Sequence, residues 1–418
     1  MATDFLLAVG VILVAAAVCG RIAMRLSLPA VVGEMAVGPL LGATVLGRVS
    51  PRAEHALFGP DVQPALELCA LLVVLLYVAE FAAETDVRYV LQRRRATAVA
   101  AAGGAALAGA AAGLVYLLLA KYVPGDVSGA SFFLVTTGAL LITAVPVLGR
   151  ILDELRLTDT RPGGIAMSLA VVDDFVAFAL VAVGVAVSGK QSFGLAVAAS
   201  AFLAALVVAP RFVPREWRAW AMGSTMAGPL GVVALAAAAA NGLGGSTIIA
   251  AFVIGAFLWR PRDREERERS SDPHSVLRAL VSIYVVWTGL GVDFADLARA
   301  RLATGVVVVV LLAVVTKVLA SALAARALRL DGQEFRALAI LRNTRGLTEL
   351  IVLNIGRDAG IFSSELYAIF FAMALLTTST SGFAIKLYAS RSPLLLGAAR
   401  RRIAPRPAAA VEQSAAPG

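Results

Sequence analysis

This sequence is poor in charge. Only 16% of its 418 residues are Asp, Glu, Lys or Arg, where a soluble domain carries roughly 25%. Apolar residues fill the deficit: 59% are hydrophobic and the mean hydropathy is +0.84. Folding in water hides at most about three quarters of the surface of a chain this long. A water-soluble fold is therefore excluded, and a lipid bilayer must cover the rest. Histidine is scarcer still. His55 and His274 are the only two, both in polar loops, which argues against haem, zinc and histidine proton relays within the membrane. The two cysteines, Cys19 and Cys69, lie in separate apolar runs. They make neither a disulfide framework nor a metal cluster and read as small buried hydrophobes. No cofactor is expected. Only Met1-Ala2-Thr3-Asp4 precedes the first apolar run, with no basic residue and no clear cleavage site after it, so no cleavable leader is expected.

What is present is a series of apolar runs split by short polar loops. A run of about 20 apolar residues crosses the hydrocarbon core of a bilayer. The runs predict helices near 4–22, 29–47, 64–83, 97–119, 130–149, 163–187, 192–210, 226–241, 246–259, 275–291, 304–325, 334–354 and 365–386. The fold class is thus an all-α membrane protein of about thirteen transmembrane helices. The turn Asn241-Gly242-Leu243-Gly244-Gly245 leaves open how 226–259 meets the membrane.

Loop charge supports this count. The even-numbered loops hold Arg48, Arg52, Lys121, Lys190, Arg299, Arg301 and Arg357; every other Lys or Arg outside the spans falls in the odd loops or the C-terminal tail. Cytoplasmic loops collect positive charge. The N-terminus is therefore expected outside, and the C-terminus in the cytoplasm, for a multi-pass protein of the inner (cytoplasmic) membrane. The formal charge of +9 then reflects topology, not nucleic-acid binding. Residues 1–387 form the transmembrane domain. Residues 388–418, rich in Ala, Pro and Arg, read as a short disordered cytoplasmic tail near anionic lipid, too short for a nucleotide-binding regulatory domain.

A few ionisable residues remain at membrane depth, where each costs at least a few kcal/mol: Asp173, Asp174, Lys317, Arg342, Arg345 and Glu349, with Glu34, Glu67 and Glu80 nearer helix ends. Asp173 and Asp174 sit in the middle of an apolar run. Adjacent helical residues point about 100° apart, so the two carboxylates face different neighbours. Such a pair can hold protons or a hard monovalent cation, or it can staple the bundle to basic partners. Lys317, mid-span, is the natural counter-ion; a lysine snorkelling to the interface is the alternative. Two helices read as broken: one at Ile142-Thr143-Ala144-Val145-Pro146, the other through the polar stretch Arg342-Asn343-Thr344-Arg345-Gly346-Leu347-Thr348-Glu349. Discontinuous helices expose backbone dipoles to ions at the midplane. Taking the seventh run as a linker, the breaks fall in the fifth element of each six-helix half, as an inverted repeat requires.

These residues resemble the monovalent cation/proton antiporters, the second branch of the sodium/proton exchanger superfamily. The resemblance runs to about residue 387. It is carried by Pro29-Ala30-Val31-Val32-Gly33-Glu34-Met35 with Gly38 and Gly42, by Thr143-Ala144-Val145-Pro146-Val147-Leu148 and by Asp173-Asp174. Gly289-Leu290-Gly291-Val292-Asp293 and Asn343-Thr344-Arg345-Gly346-Leu347-Thr348-Glu349-Leu350 complete it. The third run departs from the family, ending in Tyr77-Val78-Ala79-Glu80-Phe81 where a Gly-Leu-Glu-like sequence is usual. The resemblance implies a homodimer with a dimerisation domain and a mobile core in which the two broken helices cross. It implies a protein that exchanges a monovalent cation, sodium foremost, for protons across the bilayer, electrogenically, and that is not an enzyme. Asp174 would carry the ion, Asp173 would pair with Lys317 when no cation is bound, and Thr143 would complete the site. Asn343 and Thr344 belong to the second break, and Arg345 and Glu349 would be structural or gating. The same fold exporting potassium, or an organic ion or ionophore for self-resistance, stands as the alternative.

Overall fold

A computed structural model describes residues 2–84, 94–155, 157, 160–188, 227–242, 247–258, 271–294 and 300–391. Every regular element among the described residues is helical. The first part of the chain holds α1 (Ala2–Arg25), α2 (Ala30–Leu41), the short α3 (Leu46–Val49) and α4 (Pro51–Phe58), and α5 (Gln63–Glu84). Then come α6 (Arg94–Leu119), α7 (Gly129–Leu141), α8 (Val145–Glu154) and α9 (Arg161–Val187). The remainder holds α10 (Ala227–Gly242), α11 (Thr247–Leu258), α12 (Ser271–Leu290), α13 (Ala300–Leu328), α14 (Gly332–Leu341), α15 (Leu347–Asp358) and α16 (Ser364–Arg391). Among the described residues six stretches are long and apolar enough to cross a membrane, and a seventh joins α4 to α5 across a 60° bend. The expected span at 192–210 lies outside the described residues.

The helices sort into two groups. α1, α2, α5, α10, α11 and α12 pack on one another; α6 to α9 pack with α13 to α16. The groups meet mainly where α2 touches α16 and α12 touches α15. In the second group the order long helix, broken helix, long helix occurs twice: α6, α7–α8, α9, then α13, α14–α15, α16. Small residues set the spacing, because interhelical contact in lipid relies on close backbone approach. A Cβ on Gly33 would lie 2.2 Å from the Cys19 carbonyl of α1, and one on Gly255 2.1 Å from the Ala79 carbonyl of α5. A Cβ on Gly42 would likewise lie 2.0 Å from the Leu290 carbonyl of α12. α2 stops one residue before Gly42, and the Ala43 N–H donates to that same carbonyl instead of continuing the helix. The predicted 29–47 run is thus α2, a turn and α3, which together make one of the six spanning stretches.

Large apolar side chains cover the outside. Leu6, Leu7, Val14 and Ile22 on α1, Leu117 on α6, and Val307, Leu311 and Val315 on α13 are all exposed. In water such a belt would be an aggregation surface; in lipid it is the favourable face. The polar side chains are inside. Asp173, Asp174, Lys317, Arg342, Arg345 and Glu349 are all buried, each at 2% exposure or less.

Candidate ion-binding site

The site forms where two helices stop. α7 has 13 residues, about 20 Å of helix, too short to cross a core of about 30 Å. Ile142 leaves the helix with ψ 142°. Pro146, in the first turn of α8, has no N–H to give the Ile142 carbonyl four residues before it, and its ring would clash with that carbonyl in a continuous helix. The second break follows Leu341, and α15 restarts after Gly346, whose φ of 156° and ψ of −127° suit glycine. The breaks lie against each other. The Ala144 N–H donates to the Thr344 carbonyl at 3.0 Å, and Thr143 Oγ1 lies 3.3 Å from the Arg342 carbonyl.

α9 brings its two acids to the first break. Asp173 and Asp174 are 1% and 0% exposed. Lys317, from α13, donates its Nζ to Asp173 Oδ2 at 2.9 Å, to Thr143 Oγ1 at 2.7 Å and to the Leu141 carbonyl. Arg342 donates Nη2 to the same Asp173 Oδ2 at 2.8 Å. The Thr143 hydroxyl lies 3.3 Å from Asp173 Oδ2 as well, so its single proton serves either that oxygen or the Arg342 carbonyl. All the contacts to Asp173 fall on one oxygen. Asp173 Oδ1 and both oxygens of Asp174 have no side-chain partner, and the Thr143 backbone N–H faces Asp174.

A second ionic cluster seals the end of α7. Arg345 donates Nη1 to the Ala139 carbonyl at 2.8 Å and to Glu349 Oε1 at 2.9 Å, and Nη2 to the Leu140 carbonyl at 2.9 Å. With Lys317 on Leu141, the last three carbonyls of α7 are each met by a cation. Those carbonyls have no partner within the helix and form the negative end of its dipole. Thr378 of α16 fixes the Arg345 backbone, accepting from its N–H at 3.0 Å and donating to its carbonyl at 2.7 Å.

The structure therefore brings Thr143, Asp173, Asp174 and Lys317 into one cluster. Arg345 and Glu349 form a separate pair that closes the end of α7. Thr344 contributes its backbone carbonyl to the contact between breaks. Asn343 is committed to its own helix, donating Nδ2 to the Ala339 carbonyl at 2.8 Å. Sequence reasoning placed Arg342 at membrane depth but gave it no role; its position one turn before Arg345, at the end of α14, was the available signal. Nor did it find Asn354 and its neighbours. Asn354 Nδ2 donates to Tyr284 Oη of α12 at 2.8 Å, and Tyr367 Oη of α16 lies 2.8 Å from Asn354 Oδ1 and 2.9 Å from the Thr288 carbonyl.

Chemically, Asp174, met by no side-chain donor, is the distinctive feature. A buried ionised carboxylate without side-chain donors is costly. A proton removes the charge, and a bound cation neutralises it. Carboxylate, hydroxyl and backbone carbonyl oxygens are the ligands that hard cations take.

Comparison with known proteins points the same way. The family model for the transmembrane domain of sodium/hydrogen exchangers matches residues 11–391. The Na(+)/H(+) antiporter NhaS4 of Synechocystis is 29% identical over 394 residues, covering 90% of this chain and 95% of its own length. Cation/H(+) antiporter 20 of Arabidopsis thaliana is 31% identical over 378 residues, 84% of this chain and 44% of that protein. K(+)/H(+) antiporter 1 of Saccharomyces cerevisiae is 25% identical over 86% of this chain and 44% of its own length. The chain thus spans less than half of these plant and yeast relatives. In fold it is similar to the sodium proton antiporter of Methanocaldococcus jannaschii, with a TM-score of 0.58 over 94% of this chain and 99% of that one, at 13% identity.

Proposed function

The chain belongs to the sodium/hydrogen exchanger family, and we propose that it is an antiporter in which a monovalent cation and protons compete for Asp174. The observation that carries this reading is the carboxylate itself: fully buried, met by no side-chain donor, and set against the break in which the Thr143 N–H faces it. From one side the site takes the cation and releases protons. The segment holding it then crosses with its charge neutralised, which removes most of the cost of moving a carboxylate through lipid. On the other side protons displace the cation.

Sodium is the foremost cargo, supported by the similarity to the Synechocystis protein; similarity to the yeast protein favours potassium as the second reading. The Asp-Asp pair with a membrane lysine supports electrogenic exchange, by likeness to the electrogenic members. In this reading the second helix group is the mobile core, and the first is the dimerisation domain of a homodimer. The bundle is an inverted repeat of about thirteen spans in the cytoplasmic membrane, with the N-terminus outside and the C-terminus in the cytoplasm.

The test uses purified protein in liposomes with an acid lumen and a pH-sensitive dye. External sodium, lithium or potassium chloride should alkalinise the lumen with the native chain, and Asp174→Asn should abolish the response while the protein still folds. Exchange retained in Asp174→Asn would contradict the assignment. No response to any cation in the native chain would move the cargo to an organic ion.

A further inference from the structure

Two cations converge on one oxygen while the neighbouring carboxylate has none. Lys317 Nζ at 2.9 Å and Arg342 Nη2 at 2.8 Å both bond Asp173 Oδ2. Asp174, the next residue along α9 and equally buried, is bonded by no cation and no side chain, only faced by the Thr143 N–H. A pure staple would share two cations between two buried carboxylates, because an unpaired buried charge is the costly arrangement. This site concentrates the positive charge on one acid and leaves the other open.

Arg342 is held for that purpose and little else. Its Nε and Nη1 have no hydrogen-bond partner, whereas Arg345, in the adjoining cluster, bonds three oxygens. The Arg342 backbone is set by the end of α14, its N–H donating to the Leu338 carbonyl at 3.0 Å. Its guanidinium runs beside Gly104 of α6, where a Cβ would sit 3.8 Å from Nη2. Lys317 is partly committed to the break through Thr143 and the Leu141 carbonyl. Arg342 is thus the cation free to satisfy Asp173.

We propose that Arg342 is a positioning residue: it takes up the charge of Asp173 and leaves Asp174 as the one carboxylate of the site open to the exchanged ion. This rests on the antiport reading above and deepens it by giving the two acids different tasks. Asp173 and Asp174 against Lys317 and Arg342 make a cluster neutral in sum. Without Asp173, two fixed cations turn to Asp174 and compete with the transported one. Without Arg342, Lys317 alone serves two buried carboxylates. Removing Asp173 and Arg342 together restores the balance.

The experiment measures cation half-saturation and maximal rate in proteoliposomes for the native chain, D173N, R342M and D173N/R342M, with thermal unfolding of each purified protein. D173N should raise the half-saturating cation concentration about tenfold or more with a smaller change in maximal rate. The double variant should return it to within about threefold of the native value, a non-additivity expected of contacting groups. It should also unfold at a higher temperature than either single variant. If D173N is too unstable to assay, recovery of folded, exchanging protein in the double variant supports the proposal equally. A double variant as impaired as D173N, or one that does not fold, overturns it, because Asp173 would then be needed for more than balancing Arg342. Failure of the antiport reading looks different: the native chain itself would show no cation-driven flux.

Discussion

The Thr143 hydroxyl stands between the lysine and the acid, accepting from Lys317 at 2.7 Å and lying 3.3 Å from Asp173 Oδ2. Thr143→Ser keeps those contacts and should leave exchange close to native. Thr143→Val fills the same space but leaves the buried ammonium one acceptor short, a loss of about 1–3 kcal/mol. Cation half-saturation should then shift by about one to two decades, read from the dye response as the cation is titrated. Equal behaviour of the two variants would remove Thr143 from the site. The acids themselves were legible in the sequence, since a charge in the middle of an apolar run is too costly to be incidental. The allocation of partners was not. Asp173 takes both cations and Asp174 none because successive helical residues point about 100° apart. Which direction faces α13 and α14 depends on packing between residues far apart in the chain.

At the scale of elements, the breaks determine where charge can sit. Ending α7 after 13 residues exposes three carbonyls, and Arg345 and Lys317 meet them. Restarting α15 needs Gly346 at φ 156°, a conformation side chains resist, and a Cβ there would meet Val147 Cγ2 of α8 at 2.8 Å. Gly346→Ala should therefore lower stability by about 1–3 kcal/mol and separate the two breaks, measured as a lower unfolding temperature in detergent with reduced maximal exchange. An unchanged melting curve would show that the restart does not depend on glycine. Both breaks could be read locally, one from Pro146 and the other from the polar run 342–349. The hydrogen bond between them, from Ala144 to Thr344, joins segments that no local pattern relates. The turn that interrupts the 29–47 span was also hidden, because it follows from the close approach of Gly42 to Leu290.

For the whole molecule, two helix groups joined by a thin seam suit a core that moves against a scaffold. Polar contacts cross that seam. Tyr284 and Thr288 of α12 meet Asn354 and Tyr367, and Arg150 of α8 lies 3.9 Å from Glu34 of α2. With Cys19 and Cys69 replaced by Ser, Tyr284→Cys and Asn354→Cys joined by a short, cleavable thiol cross-linker should stop exchange, and cleavage should restore it. Full exchange in the linked protein would contradict relative movement of the groups. The apolar runs and loop charges made the membrane class plain from composition, but the sorting of helices into two groups depends on contacts between glycine faces that periodicity does not encode. The central claim, that one buried carboxylate serves cation and proton in turn, is tested most directly by the cation half-saturation of the native chain at a series of pH values. Competition for Asp174 predicts that, on the acid side, half-saturation rises about tenfold for each unit by which the pH falls while the maximal rate stays constant. A half-saturation that holds steady while the maximal rate falls would mean that cation and proton use separate sites.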